Sequence, residues 1–216
     1  MFCQCPGNTG HWSFLYVIFE LMEHALIQEI QRHLPLTDAD TAIILSYFKR
    51  LKYRRNEILL QSGTVAKEVF FVVNGLLHQY YIDDAGNERT CDFTFENKFV
   101  TDLEGFSHKT PSASSIKALK NTDCMVITCD GITKLAQENE AARNYFSIVI
   151  EQVAKESMKR TKSLLTCSPE QRFSELLIGQ PDIFQRVPQR YIAQYLGIAP
   201  ESLSRIKKRL MTAAKS

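Results

Sequence analysis

Between residues 52 and 127 the chain never sustains a helical period: its apolar residues come in short runs, and glycine or a polar turn interrupts them every few positions. The runs cover 57–61, 69–73, 76–82, 89–95 and 115–127, and Gly63, Gly75 and the turn Asp83-Asp84-Ala85-Gly86-Asn87 punctuate them. Many short strands with glycine between them predict an antiparallel barrel or jelly-roll-like β-roll. The flanks read differently. Leu26, Ile30, Leu34, Ile43, Ile44, Tyr47 and Phe48 fall at helical spacing over 25–50, with a break at Pro35 and a restart capped by Thr37.

Past Asp130 the helical pattern returns, and 131–165 holds no proline and no glycine after Gly131, so a single long helix is expected there. Ala142, Phe146, Val149 and Val153 repeat at i, i+4, i+7 and i+11, and Tyr145, Ile148 and Ile150 widen the stripe. A stripe of that width touches two surfaces, one being the β-roll and the other the same helix of a second subunit. Tyr145, Ile148, Val149, Gln152 and Val153 are the expected dimer contacts. Cys167-Ser168-Pro169 then breaks the pattern, a helix follows over 169–178, and 179–188 leads on, with room for short strands between Ile183 and Pro188.

The stretch QRYIAQYLGIAPESLSRIKK, from Gln189 to Lys208, places its residue types where two helices joined by a tight turn need them. Ile192, Ala193 and Leu196 form one inward face and Ile198, Leu203 and Ile206 the other; Gly197 supplies the corner, and Ala193 is small where the helices cross. Pro200 suits the first turn of the second helix, whereas Ala199 offers no capping oxygen. From Gln189 onward Arg190, Arg205, Lys207, Lys208, Arg209 and Lys215 face the single acid Glu201, although the whole chain carries only +2. A basic helix-turn-helix on a near-neutral body predicts double-stranded DNA as partner. Glu201, Ser202, Ser204 and Arg205 suit base edges, with Arg205 matched to guanine; Gln189, Arg190, Pro200, Lys207, Lys208 and Arg209 complete the expected contact surface.

The fold class expected is therefore α+β: an N-terminal antiparallel β-roll over 22–130, a long dimerisation helix over 131–166 and a C-terminal winged helix-turn-helix over 167–216. Residues 1–21 read as an extension, disordered or upstream of a true start at Met22, because an apolar run at 14–21 gives way there to an amphipathic helix. That run is far shorter than a membrane span, and no basic segment or small-residue cleavage site accompanies it. Six cysteines show no C-x-x-C spacing, and only His78 and His108 of the five histidines lie in the roll. A zinc finger and an iron–sulfur cluster are thus unsupported and a three-histidine cupin centre is excluded, no cofactor is expected, and no nucleophile–base pair suggests an enzyme.

The order of a β-roll, a long helix and a helix-turn-helix, together with the segments EILLQSGTVAKEVFFVVNGLLHQYYIDDAGNE, PEQRFSELL and VPQRYIAQYLGIAPESLSRIKKRL, resembles the Crp/Fnr family of bacterial transcription regulators. The resemblance covers about residues 26–210. It implies a cytoplasmic homodimer on a pseudo-palindromic DNA site, with RNA polymerase as a further partner if the protein activates. It also implies an effector position in the roll, at Asp102, Leu103, Ser112, Ala113 and Lys117. Cyclic-nucleotide-binding members offer a Gly-Glu-Leu stretch to the ribose and an Arg-Ser or Arg-Thr pair to the phosphate. Here Thr101-Asp102-Leu103 and Ser112-Ala113 stand at those positions, and no arginine occurs between Arg89 and Arg143. A phosphate without a charged partner is costly to bury, so cyclic AMP is not the expected effector, whose identity stays open. The alternative is a nucleotide- or small-molecule-binding signalling module that does not act through DNA, which the basic helix-turn-helix disfavours.

Overall fold

The computed structural model describes residues 10–213, and side chains over 20–210. Helices α1 (Gly10–Gln31) and α2 (Asp38–Tyr47) precede eight strands: β1 (Lys49–Tyr53), β2 (Ile58–Leu60), β3 (Glu68–Asn74), β4 (Leu77–Ile82), β5 (Glu88–Thr94), β6 (Phe99–Val100), β7 (Ser115–Ala118) and β8 (Thr122–Thr128). A short helix α3 (Leu103–His108) lies between β6 and β7. The helices α4 (Cys129–Glu138), α5 (Glu140–Thr166), α6 (Pro169–Gly179), α7 (Ile183–Arg186), α8 (Gln189–Tyr195) and α9 (Pro200–Ala213) follow. The strands form two four-stranded antiparallel sheets, ordered β1-β8-β3-β6 and β2-β7-β4-β5.

The period of two explains how the core divides into layers. Phe70, Val72, Cys124 and Val126 of one sheet and Leu77, Ile116 and Ala118 of the other meet inside the roll. Their neighbours Val69, Phe71, Met125 and Ile127 point the opposite way, against Met22, Leu26 and Ile30 of α1, Ile44 of α2, Leu135 of α4 and Ala142 and Tyr145 of α5. This is why β3 reads as an unbroken apolar run, since it is buried on both faces. The second sheet turns Phe93, with Phe95 just beyond β5, onto Phe173, Ile183, Tyr191, Ile192 and Leu203 of the C-terminal helices.

Several boundaries differ from the sequence-based expectation. Residues 115–127 form two strands joined at 119–121, and β1 and β6 are additional. The stretch 131–165 is not one helix: Asn139 leaves helical geometry at φ −130 and ψ 116, and its side chain accepts from the Ala142 amide at 2.8 Å. Asn139 also donates through Nδ2 to Asp40 at 2.7 Å, which ties the break to α2. A capping side chain therefore ends and restarts the helix without proline or glycine. Thr37 forms the expected cap, as a full capping box with Asp40. Helix α7 occupies part of the segment where wing strands were expected, and no strand occurs among the described residues after β8. Helix α1 runs through Met22 and buries its side chain, so the described part of 1–21 is helical rather than disordered; residues 1–9 lie outside the described residues.

Replacing Asn139 by Ala removes a cap and the link to α2, and it is expected to cost about 1–2 kcal/mol of stability, read as a lower thermal midpoint.

Candidate nucleic-acid interface and its seat on the roll

Helices α8 and α9 form the helix-turn-helix. The corner is a Schellman turn: Ile198 donates its amide to Ala193 O at 3.0 Å, Gly197 donates to Gln194 O at 3.0 Å, and Gly197 holds φ +68. A Cβ added at Gly197 would meet only Leu164 Cδ2 at 3.6 Å, so the glycine is needed for its backbone angle rather than for space. Tyr191, Ile192, Ala193, Leu196, Leu203 and Ile206 are buried, as the two inward faces require.

The residues expected to meet DNA separate into two groups. Gln189, Pro200, Glu201, Ser204, Arg205 and Lys208 are exposed and Ser202 is partly so. Three of the basic side chains have named partners within the chain: Arg190 donates to Tyr191 Oη at 2.9 Å, Lys207 Nζ lies 4.6 Å from the Phe184 ring centroid, and Arg209 pairs with Glu170. Lys207 thus turns toward α7, while Arg209 stays exposed although paired.

Two arginines that sequence reasoning passed over hold α8 in place. Arg172 of α6 donates to Leu196 O at 3.0 Å and to Cys167 O at 2.6 Å. Arg160 of α5 donates to Tyr195 O at 3.3 Å and stacks 3.7 Å over the Tyr195 ring. Both guanidinium groups serve carbonyls at the C-terminal end of α8, where cations are favoured. Cations near a helix end were readable in the sequence; which helix they serve was not.

The first helix of the motif also rests on the outer face of the second sheet. Tyr191 lies 4.4 Å from the His78 ring, and its hydroxyl donates to Glu88 Oε2 at 3.0 Å. Lys117 donates to Glu88 and to Tyr191 Oη, the latter at 3.3 Å, with its ammonium 4.6 Å from the Tyr80 ring centroid. Burial pushes the Glu88 carboxyl up, but the hydrogen bonds from Lys117 and Tyr191 outweigh it and hold the group below its ordinary value. Gln194 Oε1 accepts from the Thr90 hydroxyl at 2.8 Å. Arg186 of α7 forks onto Glu96, at 2.9 Å and 2.5 Å, and onto Gly75 O at 2.7 Å.

This arrangement corrects the placing of Lys117 in an effector position. Ile116 and Ala118 point into the roll, so Lys117 between them points out, toward α8. Of the other expected pocket residues, Asp102 stands before α3 without capping it through its side chain, and Leu103 and Ala113 are exposed. Ser112 is buried, donates to Ser114 O at 2.8 Å and accepts from the Ser114 amide at 3.1 Å. Gln79 Nε2 donates to Ser114 Oγ at 2.8 Å, and Ser62 donates its hydroxyl to Ala113 O at 3.2 Å. The loop is therefore held by neutral hydrogen bonds within the chain. The dimer expectation changes likewise at Tyr145, which is buried against α1 and the first sheet, with Val149 partly buried beside it. Ile148 is partly buried, whereas Gln152 and Val153 are exposed, as are Ile150, Met158, Leu164 and Leu165.

No group of His, Cys, Asp and Glu able to hold a metal occurs among the described residues, and none of their helices is long and apolar enough to cross a membrane. The described residues thus combine a two-sheet roll, a 27-residue helix and a helix-turn-helix. Residues 50–139 match the cyclic nucleotide-binding domain family, and most of the chain shares its fold with solved regulators of the Crp/Fnr type. It is similar to FixK2 from Bradyrhizobium japonicum at 18% identity and TM-score 0.65, covering 77% of this chain and 86% of that one. The c-di-GMP-responsive global regulator CLP from Xanthomonas campestris matches at 15% identity and TM-score 0.65, covering 82% and 93%. Thermus thermophilus catabolite activator protein matches at 15% identity and TM-score 0.54, covering 86% and 88%. At these identities the likeness is one of fold. Comparison with curated proteins gives no match.

Replacing Arg186 by Lys keeps the charge but loses the fork onto Glu96 and Gly75. It is expected to cost about 1–3 kcal/mol in chemical denaturation.

Proposed function

We propose that the protein is a homodimeric, sequence-specific DNA-binding transcription regulator of the Crp/Fnr type, acting in the cytoplasm without cyclic AMP. The observation that carries this reading is the open outer face of α9: Glu201, Ser204 and Arg205 are exposed on a helix whose opposite face is buried, and Arg205 has no partner among the described residues. A guanidinium left unpaired on such a face is free to meet the O6 and N7 of guanine. Lys208 and Arg209 extend the same basic face toward phosphates, with Arg209 exchanging Glu170 for the backbone.

The dimer reading rests on α5. From residue 151 to 159 every residue is exposed, and an isolated helix of this length gains too little from its own hydrogen bonds to justify Ile150, Val153, Met158 and Leu164 in water. A second copy of the helix covers such a stripe. Two reading helices related by a two-fold axis then require half-sites about 34 Å apart. RNA polymerase is a further partner in an activating role.

Independence from cyclic AMP rests on the neutral loop around Ser112, since the roll offers Gln79 and serine hydroxyls where a phosphate needs a cation. CLP is a c-di-GMP-responsive regulator, so a different effector is compatible with this fold.

Arg205→Ala is expected to cost about 1–3 kcal/mol on a selected site and to relax its specificity, whereas Lys208→Ala weakens all sequences alike; equilibrium binding to selected and random DNA separates the two. An equal loss on both for Arg205→Ala removes the base-reading assignment. Val153→Glu should shift the protein toward monomer in analytical ultracentrifugation, through like-charge contact across the pair of α5 helices.

A further inference from the structure

The seat of α8 on the roll contains a histidine with an unusual environment. His78 is fully buried between Tyr80, Phe93 and Tyr191, with ring centroids 5.2, 5.4 and 4.4 Å away. Its Nε2 lies 3.0 Å from the Thr90 hydroxyl, and its Nδ1 is buried with no partner. The Thr90 hydroxyl has one proton, which goes to Gln194 Oε1; the Thr90 amide points at the same oxygen at 3.3 Å. Nε2 must therefore be the donor to Thr90, and Nδ1 is left as a bare lone pair.

A second proton has only that nitrogen to go to. It would create a buried cation with an unsatisfied N–H, in a site where Lys117 and Arg190 already carry positive charge and Glu88 alone carries negative charge. The groups facing His78 are thus Tyr80 on its own strand, Glu88 on β5, Lys117 on β7, and Arg190 and Tyr191 on α8. Lifting α8 off the sheet uncovers the ring and relieves this cost.

We propose that His78, Glu88, Lys117 and Tyr191 form a positioning device that holds the helix-turn-helix on the roll with the reading face of α9 outward, and that a proton on His78 releases it. The proposal rests on the reading of α9 as a DNA-contacting helix. Docking leaves Glu201, Ser204 and Arg205 exposed, so the seated state is the one that reads. It fixes the orientation of α9 before DNA arrives, and release adds an ordering cost to binding.

Burial, followed by the charge of Lys117, brings the imidazole down to about 4 from an ordinary value of 6.5, with Glu88 opposing the shift. The sign follows from linkage: a base whose affinity for protons is depressed in the seated state stabilises that state fully above its ordinary value and loses this as the pH falls. Seating is intact near neutral pH and weakens by about tenfold per pH unit from 6.5 toward 4.

Hydrogen exchange of the full chain, corrected for intrinsic rates, is to be compared at pH 7 and pH 5.5 over residues 189–196, alongside affinity for a selected DNA site at the same two values. Wild-type protein is expected to lose protection there by about tenfold and to lose affinity with it. His78→Phe keeps the ring stacking without the proton acceptor and should hold both constant. Tyr191→Phe removes the hydroxyl that bonds Glu88 and Lys117, and should lower protection at both pH values while keeping the pH slope. Equal loss in wild type and His78→Phe, or no loss in wild type, overturns the proton-released seat. Protection that falls while affinity stays constant overturns its positioning role. Absence of DNA binding at either pH together with the expected exchange pattern counts against the regulator reading, because exchange decides the seat by itself.

Discussion

The outer face of the second sheet is the surface on which the helix-turn-helix depends. It carries His78, Tyr80 and Phe93, with Phe95 just beyond β5, which in water would expose a large aromatic area. Burying one such ring is worth about 1.5–3 kcal/mol, so the sheet needs a cover. Helices α7 and α8 provide it, and the core of the helix-turn-helix is continuous with the roll through Leu76, Phe93, Phe95 and Leu119. A domain that shares its core in this way takes its orientation from its neighbour.

Polar groups at the same seam decide how exactly it fits. Apolar contact alone tolerates small slips, whereas a part-buried fork such as Arg186 on Glu96 and Gly75 O loses bonds with any displacement. Arg160 and Arg172 act similarly from the other side, since each serves a carbonyl that the end of α8 leaves open. Helix α8 is therefore gripped by the roll, by α5 and by α6 at once. The middle of α5 is the opposite case: residues 151–159 are exposed, with Glu156 paired to Lys98 of the roll.

What the sequence disclosed follows from how local each cause is. The strand Glu68–Asn74 was legible because burial on both faces leaves a run of apolar side chains, and the corner at Gly197 because a Schellman turn has a local residue requirement. The strand β1, Lys49–Tyr53, was missed: its sequence KRLKY has neither alternation nor an apolar run, and it is a strand because β8 lies beside it. The interruption at Asn139 was missed for a related reason. An asparagine is tolerated within a helical pattern, and only its contact with Asp40, ninety-nine residues away, shows that it caps instead. In the candidate site, the exposed face of α9 was readable from helical period, but the ties of Lys207 to Phe184 and of Arg209 to Glu170 depend on where α6 and α7 come to rest.

Lys117 shows the same limit at the effector position. Alternation places Lys117 opposite Ile116 and Ala118, but it does not say which side is the interior; the packing of those two neighbours against Leu60, Val72 and Leu77 does. The cation is thus one step of the pleat away from the roll's inside, where it serves Glu88 and Tyr191. To bring it inside, β7 would have to slip by one residue, which would expel Ile116 and Ala118 and break the register with β4. A phosphate in the roll would have to draw its charge partner from elsewhere, against neutral donors such as Gln79 and the Ser112 hydroxyl that already satisfy one another's loop.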